Sequence, residues 1–283
     1  MSERRRELRG PRAEARGRGA SPRGGQPEAP IAHAFGRRAV EEALEAGIAT
    51  RLLVGRRSGL DDLTRRAASA GVSVEETDTA RLDGLAAGLH HQGVAAEVRL
   101  PRPLKERDLA EREWPADALV VALDGVEDPQ NVGASARVAE AAGAAALVIR
   151  ERRAAGVTPA SIRASAGALL HLPVGVVANI HRALDRLRDV GFTVVGLDGD
   201  APETVYEAEP LEGRVALVVG AEGAGLSRLV RESCDRLVAL PMLGRVDSLN
   251  ASAAVAAALY GFVLPARIGT RPAALPPVGA RGD

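Results

Sequence analysis

Short, nearly continuous apolar runs separated by amphipathic stretches dominate the chain from Ala118 to Leu240. ALVVALDG (118–125), AALVIR (145–150), LPVGVV (172–177), FTVVGLD (192–198), RVALVVG (214–220) and RLVAL (236–240) each predict a strand. Val, Leu and Ala without polar alternation suit strands buried on both faces, so a mostly parallel sheet is expected. Helices are expected near 132–142 and 158–168, over HRALDRLRDVG (181–191) and briefly at 227–232. From Ala251, ASAAVAAALYGFVL predicts a final buried helix. A smaller alternation precedes this block. FGRRAVEEALEAG (35–47) and LDDLTRRAASAG (60–71) have helical spacing, and RLLVG (51–55), VSVEE (72–76) and GVAAEVRL (93–100) read as strands, with a short helix at 79–87. Each block is therefore an α/β unit.

Outside these blocks the pattern fails. Residues 1–30 carry arginines among Gly and Pro with almost nothing apolar, and should be disordered. A basic arm touching RNA and an inert tail are equally open readings of it. LPRPLKERDLAEREWPA (100–116) is charged and punctuated by proline, which predicts a linker. The expected plan is a tail (1–30), a small α/β domain (31–100), a linker (101–117), a larger α/β domain (118–267) and a flexible end (268–283).

Composition narrows the function classes. At 46% hydrophobic and 26% charged residues the chain matches a globular protein. No signal peptide or membrane span is read, so a cytoplasmic location is expected. The single cysteine, Cys234, excludes a disulfide framework and a Cys-rich zinc site. A formal net charge of zero gives no bulk sign of nucleic-acid binding, and 2% aromatic residues argue against base-stacking platforms. Arginine dominates the cations, with Lys105 the only lysine. That bias fits phosphate binding, but a GC-biased coding sequence is the better reading.

Three strand ends carry polar clusters, where ligands gather in open α/β sheets. LDGVEDPQNVGASAR supplies Asn131 and Arg137; VVGAEGAGLS supplies Gly220, Glu222, Gly223 and Gly225; LPMLGRVDSLNAS is the third. GAEGAG lacks the spacing of a dinucleotide fingerprint and the G-K-[S/T] of a P-loop. Its acid would repel a phosphate and suits a ligand offering donors or positive charge. The histidines form no H-E-x-x-H, G-x-S-x-G is absent, and no metal site is expected. Ser248, Asn250 and Ser252 at the head of the last helix read equally as caps and as ligand groups.

NVGASAR, LVVGAEGAGLS and ALPMLGRVDSLNASAA resemble, in order and spacing, the three motifs of the SpoU (TrmH-like) RNA 2′-O-ribose methyltransferases of the SPOUT superfamily. GRRAVEEAL and HHQGVAAEV resemble the L30e-like substrate-binding domain of the branch that modifies large-subunit ribosomal RNA, whose 23S rRNA guanosine enzymes are the nearest likeness. The resemblance implies a C-terminal trefoil knot, S-adenosylmethionine held in it, a homodimer and an RNA substrate. It implies catalytic roles for Arg137, Asn131, Glu222, Ser248 and Asn250. For cofactor contact it implies Gly220, Leu240, Leu249, Glu222, Met242 and Ser248. The activity implied is 2′-O-methylation of a 23S rRNA guanosine. Methylation of an rRNA adenosine or of tRNA, and a ribosome-binding factor that has lost activity, are the alternatives.

Overall fold

The structure is a computed structural model and describes residues 31–56, 58–151 and 156–268. The expected disorder of 1–30 and most of the expected flexible end lie outside these residues. The first unit runs β1 (Ile31–Phe35), α1 (Arg37–Glu45), β2 (Ala49–Gly55), α2 (Asp61–Ser69), β3 (Ser73–Thr77), α3 (Thr79–Ala86) and β4 (Val94–Arg99). Its sheet has the order β1-β4-β2-β3, antiparallel except for the β2–β3 pair. Strand β1 is not expected from the sequence, because Ala and His in IAHAF give little β signal. Pairing with β4 from Ile31↔Arg99 to Phe35↔Ala95 makes it a strand.

The second unit contains β5 (Leu119–Asp124), α5 (Pro129–Ala141), β6 (Ala146–Arg150), α6 (Pro159–Ala164) and β7 (Val174–Val177), preceded by a short helix α4 (Glu106–Glu111). It continues through α7 (Ile180–Asp189), β8 (Phe192–Leu197), β9 (Arg214–Gly220), α8 (Arg228–Glu232), β10 (Arg236–Val238) and α9 (Ala251–Ala258). A π turn, Leu259–Val263, and a last helical turn, Leu264–Arg267, extend α9. The six strands are all parallel, in the order β10-β8-β9-β5-β6-β7, as the unbroken apolar runs require. Every residue of β5 is buried. The order reverses direction between β5 and β9, whose ends are in register at Asp124↔Gly220.

The segment read as a linker is packed. Leu104 bridges to Gly175 on the β7 edge, and Leu109 of α4 is fully buried. Trp114 donates to the Leu109 carbonyl at 2.9 Å and meets Phe192 edge-on with ring centroids 5.3 Å apart. Arg214 donates to the carbonyls of Pro115, Val190 and Trp114, fixing the entry to β5 against β9. The two units also touch directly: α6 packs on β1, and His171 lies 3.3 Å from the Glu42 carboxylate.

Helix α5 starts at Pro129, three residues before the expected position. Asp128 caps it by accepting from the Gln130 N–H, and proline at the first turn loses no hydrogen bond. Gly133 is obligatory here, since a Cβ would stand 2.4 Å from the Ser161 carbonyl oxygen of α6. A side chain there would separate the two helices.

Candidate cofactor and catalytic site

The site is assembled beyond the carboxyl ends of β8, β9 and β10, beside the point where the sheet order reverses. After β9 the chain turns back on itself. Ala221 and Gly225 exchange backbone hydrogen bonds of 3.2 and 2.8 Å, with Gly223 and Gly225 at positive φ. A Cβ on Gly220 would lie 2.1 Å from the Gly225 carbonyl carbon. The loop's own backbone therefore demands this glycine, whatever ligand approaches it. The loop is anchored by Asp124, a buried carboxylate at the end of β5 that accepts from the Ser227 N–H at 2.7 Å.

Asp198 and Asp200 follow β8. Asp198 is largely buried and pairs with Arg231 at 2.6 Å. The third wall is the 240–249 segment. Residues 241–249 are exposed, and among the described residues no backbone–backbone hydrogen bond involves 240–249. Its N–H and C=O groups are free to serve a ligand. The segment ends at Asn250, whose Oδ1 accepts from the Ser252 N–H at 2.9 Å and the Ser252 hydroxyl at 2.7 Å, capping α9. Its Nδ2 donates to Asn131 Oδ1 on α5 at 2.7 Å. Asn250 is thus both the cap and the tie between the first and third motifs.

Together these elements enclose an open cavity of about 410 Å³. The structure places Gly220, Glu222, Leu240, Met242, Ser248 and Leu249 on its walls. Asn131 and Asn250 are not among the lining residues; they are joined to each other, with Asn250 between the wall residues Leu249 and Ala251. Arg137 is not brought there. It is exposed on α5, and its side chain makes no hydrogen bond or ion pair among the described residues. Nor does Asn131 reach Arg137. Six residues of helix turn them to different faces, and Asn131 is occupied by Asn250. Asp124, Asp198, Asp200, Asp247 and Arg231 were missed by sequence reasoning. Asp124 and Asp198 carried one usable signal, their position at the carboxyl end of an apolar strand.

Four carboxylates (Asp198, Asp200, Glu222 and Asp247) and one guanidinium (Arg231) line the cavity. Such a field repels phosphate-bearing cofactors and favours a cation. S-adenosylmethionine, with a sulfonium, an ammonium and hydrogen-bonding edges, fits this donor set. Cys234 offers no nucleophile: burial pushes its thiol up to about 12, and the thiol donates to the Val230 carbonyl. Among the described residues no group of His, Cys, Asp and Glu is arranged to hold a metal ion.

Residues 118–260 match the SpoU rRNA Methylase family, and residues 34–104 match the RNA 2′-O ribose methyltransferase substrate binding family. The chain belongs to the SpoU rRNA methylase family. The SpoU methylase is 41% identical over 208 residues to the 23S rRNA (guanosine-2′-O-)-methyltransferase RlmB of Xylella fastidiosa, covering 73% of this chain and 83% of that one. It is 42% identical over 233 residues to an uncharacterized tRNA/rRNA methyltransferase of Mycolicibacterium gilvum, covering 80% and 74%. Among solved structures, the SpoU methyltransferase AviRb from Streptomyces viridochromogenes in complex with AdoMet superposes with a TM-score of 0.69 at 30% identity, covering 84% of this chain and 91% of that one. A crystal structure of an RNA 2′-O ribose methyltransferase gives 0.67 at 33% identity, covering 81% and 86%.

Proposed function

We propose that this SpoU methylase transfers a methyl group from S-adenosylmethionine to the ribose 2′-oxygen of a guanosine in 23S rRNA. The observation that carries the reading is the carboxylate-lined cavity where the second and third motifs meet, tied to the first through Asn131 and Asn250. The 41% identity to a 23S rRNA guanosine enzyme supports the RNA and the nucleotide.

When bound, S-adenosylmethionine supplies an electrophilic methyl group on a sulfonium. The cavity carboxylates would hold its positive charge, and the free main-chain groups around Leu240 and Leu249 would hold its adenosyl part. Gly220 and Met242 would pack against it, Glu222 would fix a donor beside it, and Ser248 and Asn250 would border the acceptor oxygen. Fixing that oxygen in line contributes several kcal/mol to the rate. A ribose hydroxyl is a weak acid, so charge growing on its oxygen needs a fixed donor. Arg137 provides a permanent cation for that charge and for the neighbouring phosphate. A guanidinium with a pKa above about 12 does not act as the base, so the proton leaves through the phosphate or water.

Arg137 stands outside its own chain's cavity, so in this reading a second copy of the chain delivers it. The exposed apolar side chains of Leu243, Val246 and Tyr260 support such a homodimer, because they need cover. The family likeness further supports a C-terminal trefoil knot and an L30e-like fold for residues 31–100. It also supports a cytoplasmic enzyme with the plan 1–30, 31–100, 101–117, 118–267 and 268–283. No described helix is long and apolar enough to cross a membrane. The test is nucleoside mass spectrometry after incubating unmodified 23S rRNA with enzyme and S-adenosylmethionine. The expected product is 2′-O-methylguanosine. 2′-O-methyladenosine, modification of tRNA alone, or RNA bound but unmodified would each replace this reading with another.

A further inference from the structure

The carboxyl ends of β1, β2 and β3 and the amino end of β4 lie along one edge of the first unit, and the loops leaving them are cross-tied. Gly36 N–H donates to the Val94 carbonyl at 3.2 Å, Gly55 N–H to the Gly93 carbonyl at 2.8 Å, and Arg56 N–H to the Thr77 carbonyl at 3.1 Å. The 87–93 loop is held in an uncommon conformation, with Ala87 and Gln92 both at positive φ. Two side chains pin it. Gln92 Oε1 accepts from the Arg37 N–H at 2.9 Å, capping α1. His91 Nδ1 accepts from the Gly93 N–H at 3.0 Å, so its Nε2 carries the proton donated to Asp83, also at 3.0 Å. Non-glycine residues held at positive φ by their surroundings cluster where a loop is shaped for a ligand.

Just before these pins His90 is exposed and has no side-chain partner among the described residues. A cavity of about 450 Å³, lined by Leu89, His90, His91 and Gln92 among others, opens beside it. The cations of this edge divide into spent and free. Arg37 is paired with Asp62 and Glu41. Further along the unit, Arg51, Arg66 and Arg81 are paired with glutamates. Arg38, in the first turn of α1 two residues after Gly36, and Arg56, next to Gly55, have exposed side chains without a partner among the described residues. Gly36 and Gly55 both lie against the 90–93 loop. Arg99, at the far end of β4, is likewise exposed and without a side-chain partner.

We propose that this edge is a nucleotide-binding subsite for RNA. An unstacked base enters the 88–93 cavity and stacks on His90, while Arg38 and Arg56 take the flanking phosphates. The inference rests on the proposed RNA substrate and on residues 34–104 matching a substrate-binding family, neither of which says where RNA sits. A preorganised loop suits single-stranded RNA, whose splayed bases are read by aromatic stacking. Each phosphate contact releases a counterion, whereas stacking does not. The two kinds of contact therefore have separate signatures.

The test uses the full chain and unmodified 23S rRNA transcript, with filter binding and RNA KM measured between low and physiological salt. Arg38→Gln and Arg56→Gln should each flatten the log Kd against log salt slope by about 0.7–0.9. His90→Ala should weaken RNA binding roughly 5- to 100-fold with the slope unchanged. His90→Tyr should restore it, and Arg99→Gln should alter neither quantity. All variants should bind S-adenosylmethionine as the wild type does. Unchanged binding in Arg38→Gln, Arg56→Gln and His90→Ala, or an equal effect from Arg99→Gln, overturns the subsite. So does loss of binding to ribosomal particles but not to naked RNA, which would mark a protein contact. A wild type that shows this binding pattern yet transfers no methyl group overturns the function reading and leaves the subsite standing.

Discussion

Replacing Asn131 tests the tie between the first and third motifs, and the outcome depends on which atom is lost. Asn250 Oδ1 is already used by the Ser252 N–H and hydroxyl, so its Nδ2 must be the donor and Asn131 must offer an oxygen. Asn131→Asp keeps that oxygen, and Asn131→Ala removes it. A neutral hydrogen bond contributes about 1 kcal/mol, which is about fivefold in an equilibrium constant. The tie orders a segment that has no backbone–backbone hydrogen bonds, so the loss should fall on cofactor affinity. Asn131→Ala should bind S-adenosylmethionine about fivefold more weakly by calorimetry, and Asn131→Asp should bind within about twofold of the wild type. Combining Asn131→Ala with Asn250→Ala should show a coupling of about 1 kcal/mol. Additive losses, or Asn131→Asp failing as badly as Asn131→Ala, would refute the reasoning. The second result would mean that the Asn131 amide donates elsewhere.

Arg137→Lys keeps charge but loses the planar fork, so single-turnover rates should fall steeply with cofactor affinity unchanged. Since the exposed Arg137 side chain has no hydrogen-bond or ion-pair partner among the described residues, Arg137→Ala should change stability by less than about 0.5 kcal/mol; native turnover by this variant would disprove its role. Gly220→Ala should abolish cofactor binding in calorimetry while circular dichroism still shows a folded sheet, because the Cβ strikes the Gly225 backbone. Cys234→Ala should methylate within about twofold of the wild type. The unfolded Cys234 thiol ionises from about pH 9.0 while the folded one stays protonated to about 12. The unfolded state therefore binds fewer protons in that window, and stability falls as pH rises through it. In thermal melts above pH 9 the wild type should lose stability faster than Cys234→Ala, and equal slopes would contradict the assignment.

The larger sheet was legible in the sequence because both its faces are buried: β9 coincides with RVALVVG from Arg214 to Gly220. The start of α5 was also written there, in Asp128 and Pro129, although apolar spacing alone placed it late. Strand β1 and helix α4 were not legible. IAHAF becomes a strand only through its pairing with β4, and α4 is marked by a single fully buried residue, Leu109, whose pocket is made by distant elements. The site followed the same division. VVGAEGAGLS and LPMLGRVDSLNAS both reach the cavity because both follow strand ends, whereas Met242 was singled out only by the family likeness. The Asn131–Asn250 bond spans 119 residues of sequence, and the Asp124–Ser227 bond spans 103. No local pattern encodes such meetings. The isolated position of Arg137 was equally invisible, since motif order says which residues cooperate and not whether one chain holds them all.

The claim that the methyl group goes to a ribose oxygen is tested most directly by partial alkaline hydrolysis. Unmodified 23S rRNA transcript, enzyme and labelled S-adenosylmethionine are incubated, and the RNA is cleaved under alkali into a ladder. Alkali uses each 2′-oxygen as its internal nucleophile, so a methyl group there blocks one cleavage. The account predicts label in the RNA and a single missing band at a guanosine. Label incorporated with an unbroken ladder would place the methyl group on a base and contradict it.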